Sequence, residues 1–280
     1  MSRLVGVGRA KPEPAFSRRG VADAVFVGVC TLCFAASAAA TIAGSTSMTA
    51  MGETPMPGGW TMSMIWTRMC GQTRANAAVS FIGMWIVMMV AMMLPSLVPM
   101  LWRYREAVGA TGATGMRVGQ LTLRVAVGYF VVWITFGIVV FAMGVTLAAL
   151  VMRWPTLARA VPSVFGVVVL SAGALQFTAW KAHQLACCRD APEPCRKLSA
   201  DAGAAWRHGL RIGFHCGCCC AGLTAVLLVF GVMDLRAMAV VATAITGERV
   251  APGGKHVARV TGAAVIGAGV VLVVRAAGLA

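Results

Sequence analysis

Apolar residues fall in long blocks along this chain, and the polar positions collect in the gaps between them. The blocks run roughly over 21–44, 77–101, 125–152, 161–181, 212–233, 237–247 and 257–274. A helix needs about 20 mostly apolar residues to cross the hydrocarbon core of a bilayer. Every block but the sixth reaches or approaches that length. The pattern predicts an all-α fold, a polytopic transmembrane helical bundle of about seven spans. The number falls to six if the first is cleaved or the short sixth is re-entrant. The sixth block is read as a span, because otherwise Arg249, Lys255 and Arg259 land outside. The first block follows Arg18 and Arg19 and contains small residues around Ser37, as a signal peptide would; its length favours an uncleaved helix.

Charge gives the blocks a direction. With the N-terminus inside, the inner segments carry Arg3, Arg9, Lys11, Arg18 and Arg19, then Arg103, Arg105, Arg117 and Arg124. They continue with Lys181, Arg189, Arg196, Lys197, Arg207 and Arg211, then Arg249, Lys255 and Arg259. That is 18 of the 24 Lys and Arg, and cytoplasmic loops retain such residues. The expected location is the bacterial cytoplasmic (inner) membrane, with the lipid bilayer as the main partner. Three regions follow: a basic N-terminal tail over 1–20, a first helix with a Met-rich outer loop over 21–76, and a membrane domain over 77–280. The net charge of +15 does not indicate nucleic acid, because the basic residues lie between apolar blocks rather than along one face. Only 12% of residues are charged, about half the proportion of a soluble domain, and mean hydropathy is +0.81. Phosphate-binding loops, haem-attachment motifs and nucleophile elbows are absent from the sequence.

Ten cysteines change the picture. On this topology only Cys70 lies clearly outside. Cys187, Cys188 and Cys195 fall in an inner loop, and Cys216, Cys218, Cys219 and Cys220 open the fifth block from the same side. The cytosol keeps thiols reduced, and clustered reduced thiols are metal ligands or redox groups before they are staples. Cys216, Cys219 and Cys220 stand at i, i+3 and i+4 and share one helical face; His215, Cys218 and Cys219 share the next. The block boundary puts them at a helix N-terminus, where the dipole favours thiolate, with Arg207 and Arg211 acting in the same sense. Close helix packing by small residues is the alternative; four cysteines in five positions favour a metal. Cys30 and Cys33 read as packing. His183 and His215 are further candidate ligands.

Eighteen methionines are also grouped. The first outer loop holds Met48, Met51, Met56, Met62, Met64 and Met69. The second block carries Met84, Met88 and Met92 at four-residue spacing, with Met89 and Met93 beside them. Thioethers are soft neutral donors that select Cu(I), and methionine equally fills gaps between helices. The ladder is open to both readings. The outer loop favours copper, on the expectation that its methionines are exposed and have no core to fill. Pro95 is expected to kink the helix near its inner end. Ala263 and Gly267, four apart, are expected to pack closely against another helix.

These motifs together resemble the prokaryotic family labelled "predicted metal-binding integral membrane protein", a domain of unknown function whose members are sometimes called copper chaperones. The resemblance covers roughly 85–274. It rests on Trp85, Met88, Ala91, Met92, Met93 and Pro95, on Gln176, Thr178 and Lys181, on Cys188 and Arg189, and on Cys216, Cys219 and Cys220. Gly231, Val232, Met233 and Glu248 also match. Ala179 stands where the family has proline, Gln184 where it has a cysteine, Cys218 where it has glycine and Ala221 where it has tryptophan. Cys187 is placed to substitute for the missing thiol. The resemblance implies metal binding.

The expected function is binding of a soft metal, Cu(I) before Zn, for transport or delivery across or at the membrane, with a metal-accepting partner protein. The expected ligands are Cys188, Cys216, Cys219, Cys220, Cys187 and His215, with Met84, Met88, Met92 and Met93 leading to them. The alternatives are a membrane enzyme with a thiolate metal or redox-thiol site, and a structural assembly factor without metal. Asp23, Asp234 and Glu248 are expected near block ends, so an intramembrane acid for proton coupling is not foreseen.

Overall fold

The computed structural model describes residues 15–50, 53–63, 66, 73–189 and 201–278. Among them are eight helices and one hairpin: α1 (Ala15–Ala50), β1 (Glu53–Met56), β2 (Trp60–Ser63), α2 (Arg74–Gly109), α3 (Gly115–Arg153), α4 (Pro155–Leu175), α5 (Ala179–Arg189), α6 (Ala202–Phe230), α7 (Leu235–Val250) and α8 (Gly254–Ala276). Six of the helices, α1–α4, α6 and α8, are long and apolar enough to cross a membrane. The sixth apolar block forms α7, whose 16 residues rise about 24 Å, short of a ~30 Å hydrocarbon core. The helices extend beyond the apolar blocks because polar residues at the ends carry the caps. Thr73 accepts from the Asn76 N–H to start α2, and Asp201 and Asp234 cap α6 and α7. The N–H groups of Ala204 and Gly203 hold the exposed Asp201 carboxyl below the usual carboxylate range.

Glycine sets how closely the helices approach. α3 and α6 run side by side in the same direction. A Cβ on Gly209 would meet the Val125 carbonyl oxygen, and one on Gly213 would lie 2.9 Å from the Tyr129 oxygen. α4 and α8 pack antiparallel: Gly173 faces Ile266 and Gly262, while Gly166 faces Val273. The small-residue seam of α8 is therefore Gly262 and Gly269, seven apart. Ala263 and Gly267, expected there from the sequence, are exposed, and Gly267 has open space around it. The four-residue spacing was genuine, but only the fold fixes which face of a uniformly apolar helix meets its neighbour.

The main core collects around Trp85, Trp133, Tyr104 and Tyr129 and includes Met88, Met89, Met92 and Met93 with Cys188, Cys216, Cys219 and Cys220. Trp85 donates to the Trp133 carbonyl at 2.9 Å, so its one polar atom is satisfied. α2 continues through both Pro95 and Pro99 to Gly109. α1 packs mainly on α2, where Arg105 pairs with Asp23 at 3.1 Å and lies 4.5 Å over the Phe26 ring. The β1–β2 hairpin, which turns through Gly58 and Gly59 at positive φ, docks on the start of α4.

Candidate metal centre

Two helices bring the cysteines together. α5 begins where the Thr178 hydroxyl accepts from the Lys181 N–H, and it buries Lys181, Leu185 and Cys188, which recur every three to four residues along one face. α6 presents Cys216, Cys219 and Cys220 on one face, as their spacing predicts, and that face is buried. The close approach of α6 to α3 lets the Tyr129 hydroxyl reach the Cys216 sulfur at 3.0 Å. Cys216 and Cys220 sulfurs are 3.9 Å apart, and Cys219 neighbours both Cys188 and Cys220 in the same buried cluster. The neighbouring Cys219, with burial, pushes the Cys188 thiol above its ordinary range. All four thiols are at most 3% exposed. Among the described residues, no three His, Cys, Asp or Glu side chains converge at metal-holding distances. The cluster is a chain of paired sulfurs, not a preformed multi-ligand shell. Thiols are soft donors, and such donors suit a soft metal ion.

The charge at this cluster comes from an unexpected source. α6 starts at Ala202, so Cys216 lies about four turns inside the helix rather than at its N-terminus. The helix dipole therefore does not act on Cys216, because its effect fades within the first turn. Arg211 is exposed; the cation among the thiols is Arg249, from the end of α7. Its guanidinium donates to the Cys216 sulfur at 3.0 Å, the Ser96 hydroxyl at 2.8 Å and the Met100 sulfur at 3.0 Å. The sequence places Arg249 in an inner loop by its charge, and the fold places it in the core. Ser96, Met100 and Tyr129 carry no sequence signal that marks them as neighbours of the thiols. The signal for Arg249 was its adjacency to Glu248, a residue of the family pattern.

Glu248 is not at a helix end in solvent. It is 1% exposed and pairs at 2.7 Å with Lys181, itself 4% exposed, which also donates to the Cys219 carbonyl at 2.7 Å. A buried acid is thus present, neutralised by a lysine that is tied to the cysteine helix. The remaining expected ligands are placed apart. Cys187 is exposed and faces His183 at 3.6 Å. The His215 Nδ1 lies 2.9 Å from the Gln184 Oε1. Cys218 is half-buried, beside the cluster face. Of the ladder, Met88, Met92 and Met93 are buried and Met84 is half-buried against the same core.

In the segment between α1 and α2 the methionines of the hairpin are not exposed, against the sequence expectation. Met62 is 5% exposed and Met56 packs against Val151, Ala158 and Val161. The hairpin folds these side chains onto the helices, so they have a core to fill after all. Met51, Met64, Met69, Cys70 and Cys195 lie outside the described residues, as does the side chain of Met48.

Six span-length helices and a buried thiol cluster define a multi-pass α-helical membrane protein with a candidate soft-metal centre. Residues 82–272 match the model of the PpoB2 family, described as copper chaperone, and the chain belongs to that family. No curated protein and no solved structure matches the chain.

Proposed function

We propose that this protein binds Cu(I) at Cys188, Cys216, Cys219 and Cys220 and hands it on within or across the cytoplasmic membrane. The observation that carries the reading is the burial of four thiols from two helices in one sulfur network, with a cation inside it. A copper-bound thiolate pair carries net negative charge, and Arg249 is placed to balance it without leaving the core. Lys181 and Glu248 tie α5, α6 and α7 together at the same depth, which fixes where the sulfurs stand. The methionines of α2 supply soft neutral donors in the same core, and in this reading they conduct the ion toward the cysteines. Cys187 and His215 serve as a more exposed pair of donors beside the path.

The topology that accompanies this reading has the N-terminus inside and α7 returning the chain to the inner side. Two contacts support the return. Arg249 at the end of α7 reaches Ser96 and Met100. α8 then runs antiparallel to α4 from the same end. The test is metal content after anaerobic purification. Wild type should carry copper, with sulfur ligands by X-ray absorption. Cys219→Ser with Cys220→Ser should insert normally and lose it, because serine keeps the size and removes the soft donor. Full metal stoichiometry in the double variant refutes the cysteine site.

A further inference from the structure

Beside the thiol cluster, between α2, the end of α5 and the end of α7, lies a cavity of about 250 Å³. Its lining includes Arg103, Arg189 and Arg249 together with Ser96, Met100 and Cys188. Three guanidiniums line this small space and keep their protons. Arg103 is exposed and Arg189 half-buried, and both reach solvent, while Arg249 is buried, so its charge calls for a counter-charge. Their acceptors do not supply it. Arg103 donates to the Arg189 carbonyl at 2.7 Å, and Arg189 donates to the Glu248 and Pro252 carbonyls at 3.0 and 3.3 Å. Arg249 donates to a hydroxyl and two sulfurs, and its Nε is buried without a partner. The Glu248 carboxylate faces Lys181. Among the described residues, no carboxylate pairs with any of the three arginines. A thiolate at Cys216 would answer Arg249, while Arg103 and Arg189 meet only carbonyl acceptors among the described residues.

Soft donors line the same space. Cys188 opens on it from the thiol side and Met100 from α2. An occupant that satisfies both features carries carboxylates for the guanidinium forks and a sulfur for the metal. We propose that the cavity docks a small carboxylate-bearing thiol whose sulfur carries Cu(I), and that copper passes between this carrier and Cys188. The proposal rests on the copper reading above and names the form in which the metal arrives or leaves. In the arriving direction the carrier's S–Cu bond breaks as the Cys188 S–Cu bond forms. The Cys188 proton goes to the departing carrier sulfur, and copper remains Cu(I). The carboxylates stay on the arginines throughout, so the exchange occurs within a held complex.

The test uses the full chain in phosphatidylcholine nanodiscs. S-methylglutathione, which keeps the carboxylates and blocks the thiol, probes the anion site without metal. It should bind saturably, and Arg103→Gln should weaken it roughly 10–100-fold, the range of one charged hydrogen bond. Arg103 is exposed and makes one backbone contact, so the variant should fold; Arg103→Lys should recover part of the binding. Copper loading is then compared from Cu(I)–glutathione and from Cu(I) in acetonitrile. Arg103→Gln should slow loading from the first by a similar factor and leave the second unchanged. Absent binding, binding insensitive to Arg103, or equal effects on both copper sources overturns the proposal. An anionic phospholipid that co-purifies in the cavity and is not displaced by S-methylglutathione also overturns it, in favour of a lipid headgroup. Failure of wild type to load from acetonitrile refutes the copper reading itself, a result distinct from the other failures.

Discussion

Replacing Lys181 by methionine removes a charge and keeps the aliphatic stem, so the perturbation falls on the ion pair. In the native protein Lys181 and Glu248 are 4% and 1% exposed and 2.7 Å apart. Glu248 Oε1 has no hydrogen-bond partner, so Lys181 is the main compensation for that carboxylate. Breaking a buried pair by removing one member costs about 3–5 kcal/mol, because the other charge is left without compensation. At about 1.4 kcal/mol per tenfold change, the open population should rise by roughly two to four powers of ten. A domain with ~5–15 kcal/mol of stability leaves room for that rise before it unfolds. Three of the buried cysteines report it directly, since their alkylation requires opening. Per-site mass spectrometry in detergent should show Cys188, Cys219 and Cys220 labelling faster by that factor, with exposed Cys187 unchanged. Adding Glu248→Gln to Lys181→Met should recover most of the protection, because no bare charge remains. Wild-type labelling rates in the single variant, or no recovery in the double, would refute the ion-pair reasoning.

Two further outcomes test path and sidedness. Changing Met84, Met88 and Met92 to leucine nearly conserves volume and should cost under about 1.5 kcal/mol each in packing; copper offered from the outer side should then fail to reach the cysteines, while copper offered from the inner side of inverted vesicles still binds. Equal loading from outside in both proteins would leave the methionines as packing alone. Because Cys187 is exposed on α5, a membrane-impermeant maleimide should modify it in inverted vesicles and spare it in intact cells; labelling in intact cells would reverse the topology and remove the reduced-thiol argument.

The sequence by itself determined the class of the protein, because bilayer thickness converts directly into a length of apolar residues. It also determined that Cys216, Cys219 and Cys220 share one helical face, because helical periodicity is local; that this face is buried came from the fold. It placed Lys181 and Cys188 within one motif-bearing stretch, but not on a common helix face beside α6. What only the tertiary structure decided concerns faces and partners. In a chain apolar on every side, periodicity does not distinguish lipid from protein, so the seam of α8 had to come from Gly262 and Gly269 meeting α4. Charge counting treats every arginine near a block end as solvated, so it could not foresee Arg249 among the thiols or Glu248 buried against Lys181. Those two groups lie 33 and 67 residues from their partners Cys216 and Lys181. The free energy that holds them inside exists only once helices distant in sequence exclude water around them.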